Sequence, residues 1–534
     1  MPKTAKKFRT TIGIFALLIT LLAIIATVMP ATGKIPSDSE QLHNLSAAEL
    51  SCRFGVATFG ENQGAMLSSL GAGWYLDFST SPINSAPENI DFLPMIRLNQ
   101  VKAGDNVYLD DYTVSPPLTE AGLGAIIDDN LGATWIVGNE PDRGPTAHSS
   151  AQDDMMPDMY ARAFHDVYEY IKTRDPSAQV ATAGLVEITP GRLQYLDMIS
   201  EAYHAAYNME IPADVWTIHL YVMPEVTPNY MPNSIASVAV GTDPTLGMKS
   251  SDGTAQKCGN VNNDVYCFAD HDNVAFFKRQ IRDFRTWMKA HGQQHKPLLI
   301  TEYSILYGYE LDAGGCFLQD EYGQCFTPTR VSNYLRKTFD LVNGPGELRD
   351  TNLGMAVDDY RLVQQILWYS VYTPWVGNAS NLYNSEALTV KTAVGAAFQA
   401  EMAERTPVPN LFAWNAASVA GFVISPATTA TVTLSADIYN NGDANVNNPF
   451  TITFYADEAM TDSIGSVTVT GMSGCAHESM KVSVDWHDLT SGVYRYWVKA
   501  DSGDLLVEGS ESDNVISGVV LINPKQAFLP VLRK

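Results

Sequence analysis

The sequence predicts an α/β fold, a (β/α)8 TIM barrel, followed by an immunoglobulin-like antiparallel β-sandwich. Three observations predict it. Short apolar runs alternate with helical patterns from about residue 52 to 402, and such alternation builds a parallel sheet. Eight units in that span fit a closed barrel with insertions better than an open sheet. Near Pro407 the texture changes to stretches rich in Thr, Val, Ser, Asn and Gly with period-two alternation, as in half-buried antiparallel strands.

Taken in order, Lys3, Lys6, Lys7 and Arg9 precede an apolar run from Ile12 to Met29, and the small residues Ala31, Thr32 and Gly33 follow. Residues 1–33 therefore read as a secretory signal peptide, with cleavage favoured, although the run is also long enough to anchor the chain in a membrane. Residues 34–50 are polar and small, a linker. Strands one to three are read at 53–59, 72–78 and 92–98. Strand four is the run ending in Trp135-Ile136-Val137-Gly138-Asn139-Glu140-Pro141. Proline cannot donate to a sheet ladder, so Pro141 stops the strand just past Glu140. Helices at 155–173 and 192–206 flank strand five at 179–185. Strand six, 214–221, precedes an insertion at 223–272, a helix at 274–289 and strand seven at 297–303. A second insertion at 307–327, a helix at 331–341, strand eight at 365–372 and a helix at 392–402 complete the unit. Both insertions follow strands, which puts them on the C-terminal face where barrel enzymes hold their sites.

Strand seven ends in Leu299-Ile300-Thr301-Glu302-Tyr303. Two glutamates at the C-terminal ends of two parallel strands suit cleavage of a glycosidic bond, which uses one carboxyl as acid and another as nucleophile or base. Asn139-Glu140-Pro141 and Thr301-Glu302 resemble the clan-A glycoside hydrolases, which are (β/α)8 barrels. The resemblance implies that Glu140 is the acid/base and Glu302 the nucleophile, and that Asn139 holds the sugar 2-hydroxyl; a strand-end cap is the plainer role for Asn139. It also implies a His or Tyr on strand six against the nucleophile. His219 and Tyr221, which share a strand face with Thr217, are the candidates. Burial and the charge of Glu302 are expected to raise the Glu140 pKa, so that it starts protonated. Arg97, ending strand three, either holds Glu302 ionised or forms a surface ion pair. Trp74, Trp368 and Trp375 are read as aromatic platforms for sugar rings, with core filling as the alternative. Asp77, Glu61, Glu187 and Glu225 are in reserve. The stretches Gly73-Trp74-Tyr75-Leu76-Asp77-Phe78 and Phe92-Leu93-Pro94-Met95 are further similar to a clan-A group of endo-β-1,3-glucanases, which makes β-1,3-glucan the first substrate to consider.

In the C-terminal part, Tyr439-Asn440-Asn441-Gly442-Asp443-Ala444 and Glu508-Gly509-Ser510-Glu511-Ser512-Asp513-Asn514 resemble the CARDB-type, immunoglobulin-like modules of secreted bacterial proteins. Runs at 430–438, 450–455 and 494–498 lie among about seven expected strands, and Asn440-Asn441-Gly442-Asp443 is a turn signal. The reading divides the chain into a catalytic barrel at 51–405, a sandwich at 415–525 and a tail at 526–534.

Composition limits the alternatives. With 34 Lys and Arg against 59 Asp and Glu the net charge is −25, which excludes a basic nucleic-acid footprint. No GxSxG elbow, HExxH helix or Gly-rich phosphate loop is present, so no metal and no cofactor is expected. Of six cysteines, Cys258 and Cys267 lie close together in one polar segment and Cys316 and Cys325 in another. In an exported chain this suggests two loop-closing disulfides. Cys52 and Cys475 are read as free buried thiols or as a bridge between modules. The expected function is a secreted retaining glycoside hydrolase, monomeric, on a β-linked polysaccharide or oligosaccharide. The alternative is a non-catalytic carbohydrate-binding or adhesion protein on a degenerate barrel.

Overall fold

The computed structural model describes residues 50–524 except 105–106, 144–151, 226–237, 248–255, 307, 311–314, 375–378, 419–421, 426 and 477. The expected signal peptide, the expected linker up to residue 49, the expected tail from residue 526, and Trp375 therefore lie outside the described residues. Among the described residues no helix is long and apolar enough to cross a membrane.

The first strands are β1 (Phe54–Ala57), β2 (Trp74–Leu76), β3 (Asp91–Phe92), β4 (Met95–Gly104), β5 (Val107–Ser115) and β6 (Thr134–Val137). They are followed by β7 (Gln179–Thr182), β8 (Trp216–His219), β9 (Leu298–Tyr303), β10 (Tyr309–Glu310), β11 (Gly315–Cys316) and β12 (Gln365–Trp368). All eight runs read from the sequence are extended, but they fall into two sheets. One has the order β3-β2-β1-β12-β9-β8 and is parallel throughout; the other has the order β5-β4-β6-β7. A parallel bridge between Ala181 and Val215 links β7 to the segment leading into β8. At the other end, only Leu93 and Pro94 separate β3 from β4.

Strand three differs from its reading. It does not stop at residue 98 but runs on as β4 and returns antiparallel as β5. This arm is largely exposed, so it carries no buried apolar run for the sequence to display.

Alternate strand residues divide between two apolar clusters, as period two requires. Leu76, Met95, Ile136, Val215, Leu299 and Leu367 pack together on one side. Tyr75, Ile96, Trp135, Trp216, Ile300 and Ile366 pack against the helices. The helices start where the chain supplies caps and prolines. Pro157 opens Pro157–Arg174, Thr189 accepts from the Arg192 N–H ahead of Pro190–Tyr207, and Asn273 accepts from the Ala275 N–H ahead of Val274–Ala290.

All six cysteines are paired. The two loop disulfides form as expected, Cys258–Cys267 and Cys316–Cys325. Glu321 from the second loop accepts the Phe268 and Ala269 N–H groups at 3.0 and 2.8 Å, which ties the loops together.

The C-terminal strands are β13 (Leu411–Ser418), β14 (Phe422–Val423), β15 (Ala430–Asn440), β16 (Phe450–Tyr455), β17 (Ser463–Val469), β18 (Met480–Leu489), β19 (Gly492–Lys499) and β20 (Val515–Ile522). They form a three-stranded sheet, β13-β15-β18, and a five-stranded sheet, β14-β20-β19-β16-β17, around one apolar core. This is the expected sandwich-like architecture. The Asn440–Asp443 stretch has a second role, because it meets the α/β part. Cys52 N–H donates to the Asp443 carbonyl, and Arg53 Nη2 donates to the Asn441 carbonyl at 2.8 Å. Arg53 is buried and also grips Asp358 with both of its terminal nitrogens. Cys52 and Cys475 are not free thiols but a bridge across this junction. Glu49–Lys534 is one compact unit.

Candidate active site

The chain leaves β6 through Gly138, at φ 96°, and reaches Glu140 at φ 46°. The left-handed region is costly for a glutamate and persists only where the surroundings hold it. Here they do. Glu140 N–H donates to the Gly184 carbonyl at 3.1 Å. Asp153 accepts from the Asn139 N–H at 2.7 Å and the Leu98 N–H at 3.1 Å, and its other oxygen accepts from Arg97 Nε at 2.8 Å. Arg97 is thus committed to Asp153 rather than to a surface partner. It lies near enough to Glu302 for its charge to favour the ionised carboxylate.

The geometry brings together Glu140, His219, Tyr221 and Glu302. His219 Nδ1 lies 2.9 Å from Glu140 Oε1, and its Nε2 lies 3.7 Å from Glu302 Oε1. The Tyr221 hydroxyl donates to Glu302 Oε2 at 2.9 Å. All four side chains are buried. One carboxylate oxygen of Glu140, one of Glu302 and a ring nitrogen of His219 lie within 4.8 Å of one another. The Arg143 guanidinium approaches Glu140 Oε2 at 3.9 Å.

The resting proton order is the reverse of the expectation. Burial pushes Glu302 up to about 7, aided by the charge of Glu140, while His219, Tyr221 and Arg97 offset only part of the rise. Burial also opposes ionisation of Glu140, but the hydrogen bond and charge of His219, with Arg143 nearby, outweigh it and hold Glu140 below its ordinary value. The His219 imidazolium is favoured in turn; burial disfavours it, but the two carboxylates more than compensate. The reversal comes from the His219 imidazole, which sits between the two carboxyls.

Two of the three tryptophans, Trp74 and Trp368, are corrected. Trp74 is buried inside the strand layer, packed so closely that a β-carbon at Gly55 would lie 2.5 Å from its ring. Trp368 faces the helices, where Nε1 donates to the Ser380 carbonyl at 2.9 Å and the ring meets Tyr303. One residue on, Tyr369 takes the site-facing position, with ring centroids 5.6 Å from Phe59 and 6.4 Å from Tyr221. Phe78 stacks on Phe59 at 5.2 Å, and Phe59 is 40% exposed. Phe59, Phe78 and Tyr369 therefore form an aromatic cluster beside the carboxyls, with Phe59 as its exposed member. Strand alternation could have found Tyr369, because a shift of one residue changes the face.

Asn139 is buried beside Glu140. Of the reserve acids, Asp77 accepts from Thr58 and the Gly60 N–H, and Glu61 accepts from the Asn84 and Ser85 N–H groups, which are capping roles. Glu187 and Glu225 are instead fully buried near Arg192. Arg192 Nε donates to Asp142 at 2.8 Å, and Nη1 lies 2.9 Å from Glu225. This network braces the segments that follow β6, β7 and β8.

Two groups among the described residues present three metal-ligating side chains each. In one, Cys258 and Cys267 are consumed by their disulfide. The other is Glu140, His219 and Glu302, a donor set with the chemistry to take a divalent cation.

Residues 421–518 match the CARDB family, so the C-terminal sandwich is a CARDB domain. No curated protein matches the chain. Among solved structures, an endo-β-1,3-glucanase of GH128 subgroup II from Pseudomonas viridiflava is 14% identical over 65% of this chain and 97% of its own, with a TM-score of 0.36. A GH128 subgroup VII oligosaccharide-binding protein from Trichoderma gamsii is 11% identical over 65% and 93%, TM-score 0.34. A CARDB domain from Pyrococcus furiosus, solved in complex with di-metal ions, is 18% identical over 22% of this chain and 89% of its own, TM-score 0.18. The disulfides are consistent with a location outside the cytoplasm.

Proposed function

We propose that this chain is a secreted, retaining glycoside hydrolase that cleaves a β-linked polysaccharide or oligosaccharide, with β-1,3-glucan as the first candidate. The two sheets make one (β/α)8 barrel, closed through the Ala181–Val215 bridge and the Leu93-Pro94 link. The barrel comprises residues 51–405 and the accessory sandwich 415–525. The observation that carries this reading is the approach of Glu140 and Glu302 to within 4.8 Å around His219. A retaining pair needs carboxyls about 5–5.5 Å apart, whereas an inverting pair leaves about 6.5–9.5 Å for a water.

Glu302 attacks the anomeric carbon while Glu140 protonates the departing glycosidic oxygen. Glu140 then removes a proton from water, whose oxygen attacks the same carbon and releases Glu302. The proton order fits these roles through His219. Once Glu302 is ionised, one proton remains in the 2.9 Å hydrogen bond between His219 Nδ1 and Glu140 Oε1. Its transfer to Glu140 loads the acid and leaves His219 neutral, with its Nε2 hydrogen towards Glu302. Tyr221 keeps the Glu302 carboxylate oriented, and Asn139, buried beside Glu140, is the candidate to meet the sugar 2-hydroxyl. Phe59, the exposed member of the Phe59–Phe78–Tyr369 cluster, offers a flat face to the C–H side of a sugar ring.

The test is hydrolysis of a β-glucan panel by wild type, Glu140→Gln and Glu302→Gln, with mass spectrometry after a 2-deoxy-2-fluoro-glycoside. Release of sugar by wild type alone, with the label on Glu302, supports the reading. A label on Glu140 reverses the roles. Binding without hydrolysis across the panel replaces the enzyme with a carbohydrate-binding protein.

A further inference from the structure

At the N-terminal ends of the parallel strands, away from Glu140 and Glu302, the α/β part and the CARDB domain enclose a cleft of about 490 Å³. That is the size of a small-ligand site. The cleft is held in shape from both sides. The Cys52–Cys475 bridge, the Arg53–Asp358 pair and the Asn441 side-chain bond to the Val357 carbonyl at 3.1 Å fix one wall against the other. A preformed cleft avoids much of the ordering cost of binding.

Its walls combine two kinds of group. From β13, the sandwich strand that precedes the CARDB match, Phe412 and Trp414 present a tilted ring pair 5.4 Å apart, both partly exposed. Around them, Arg349 Nε, Arg361 Nε, Asn410 Oδ1 and Asp513 Oδ1 are shielded from solvent yet have no hydrogen-bond partner. Native structures leave few buried polar atoms unsatisfied, and each needs a reason. Here two donors and two acceptors belong to residues that line one cleft, each just beneath its solvent-accessible surface.

The charges exclude one class of ligand. Arg53 and Arg361 are paired with Asp358, and Arg349 with Asp359. Lining the cleft, Arg53, Arg349 and Arg361 stand beside Asp359, Asp443 and Asp513, so the described lining carries no net positive charge to favour a phosphate. A neutral sugar fits better, because each hydroxyl both donates and accepts and the ring offers an apolar face to Phe412 and Trp414. We infer that this junction cleft is a second saccharide site, which holds a neutral oligosaccharide while the carboxyl pair acts on another segment or strand. The division of labour rests on the proposed glycosidase reading, whereas the cleft itself contains none of Glu140, His219, Tyr221 and Glu302.

The experiment uses the full mature chain carrying Glu302→Gln, so that no substrate is consumed. Calorimetric titration is made with linear β-1,3- and β-1,4-linked glucan hexasaccharides. Trp414→Ala and, separately, Arg349→Ala are added to that background. Hydrolysis of a soluble aryl β-glycoside is followed in the same variants with Glu302 intact. The expected result is one binding event that weakens by about tenfold or more in Trp414→Ala, the scale of one aromatic anchor. Arg349→Ala is expected to weaken it too, Trp414→Phe to restore most of it, and aryl-glycoside hydrolysis to stay unchanged. Isotherms that are the same in wild type, Trp414→Ala and Arg349→Ala overturn the inference, as does the absence of any binding outside the carboxyl cleft. If hydrolysis is absent in every variant while the Trp414-dependent event remains, the catalytic reading falls and the junction site stands.

Discussion

Gly184 faces the imidazole of His219 so closely that a β-carbon built on it would lie 2.3 Å from His219 Cδ2 and 2.5 Å from Nε2. His219 is the group that spans the two carboxyls, so the absence of a side chain at residue 184 sets where they meet. Gly184→Ala is expected to displace the ring. A misplacement on the ångström scale costs about 10²-fold in rate. The check is kcat on an active β-glucan alongside the thermal midpoint. Full activity in a folded Gly184→Ala protein would show that the position of His219 does not matter.

Tyr221 gives a sharper handle, because its effect has a sign. Its hydroxyl donates to Glu302, whose carboxyl is raised to about 7 chiefly by burial. Glu302 has to be ionised to attack, so kcat/KM is expected to rise with pH through a limb near that value. Removing a donor from a carboxylate favours the protonated form. Tyr221→Phe should therefore move the acid limb upward, by about one unit for a hydrogen bond to a charged group. A downward shift contradicts the assignment of Glu302 as nucleophile. The pH profiles of the two enzymes decide it.

Much of this arrangement was legible in the sequence, for identifiable reasons. Glu140 and Glu302 each end an apolar run, and His219 and Tyr221 alternate on one strand, so period two and chain breaks locate all four. Trp368 fills the core rather than serving as a platform, a choice the sequence leaves open because strand eight is apolar on both faces and such a run does not reveal which residues turn inward. The β4–β5 arm was missed for the opposite reason: it is exposed and buries no stripe. The reversed proton order belongs to distances between strands far apart in the chain, which periodicity cannot report. Arg192 and its acids were invisible as a set for the same reason, since Asp142, Glu187 and Glu225 follow three different strands.

The Glu140–His219–Glu302 trio could bind a divalent cation, but such an ion would occupy the oxygen atoms that the proposed chemistry needs. Chelation by EDTA is therefore expected to leave the rate unchanged, and micromolar Zn²⁺ to inhibit by competing for His219 and the carboxylates. Loss of activity on chelation, restored by one metal, would assign the trio to metal-assisted hydrolysis. Activity assays with and without chelator are the check.

The Cys52–Cys475 bridge closes a separation of 423 positions between the start of β1 and the CARDB domain. Loss of a native disulfide costs about 2–5 kcal/mol. Cys52→Ser with Cys475→Ser is expected to lower the thermal midpoint clearly. The bridge lies at the opposite ends of the strands from the carboxyls, so kcat at 25 °C should hold. A fall in kcat without a fall in midpoint would mean that the junction communicates with the site.

Arg192 tests the brace under Glu140. It is fully buried with Asp142 and Glu225 as partners, and its charge also acts on Glu187. Burial raises all three acids above their ordinary values, Asp142 to about 6. Removing one partner from a buried ion pair costs about 3–5 kcal/mol. Arg192→Met should therefore destabilise the chain, and by an amount that depends on pH. Without the guanidinium the acids must stay protonated in the fold, so their folded pKa values rise further above the unfolded ones. A group raised in this way loses stability as pH climbs from its unfolded value towards its folded one. The midpoint deficit of Arg192→Met should be smallest near pH 4–5, the ordinary carboxylate range, and grow towards pH 8. Thermal melts of wild type and variant across that range decide the matter. A deficit that is flat with pH would mean that packing around Arg192, rather than its charge, supports the segment that carries Glu140.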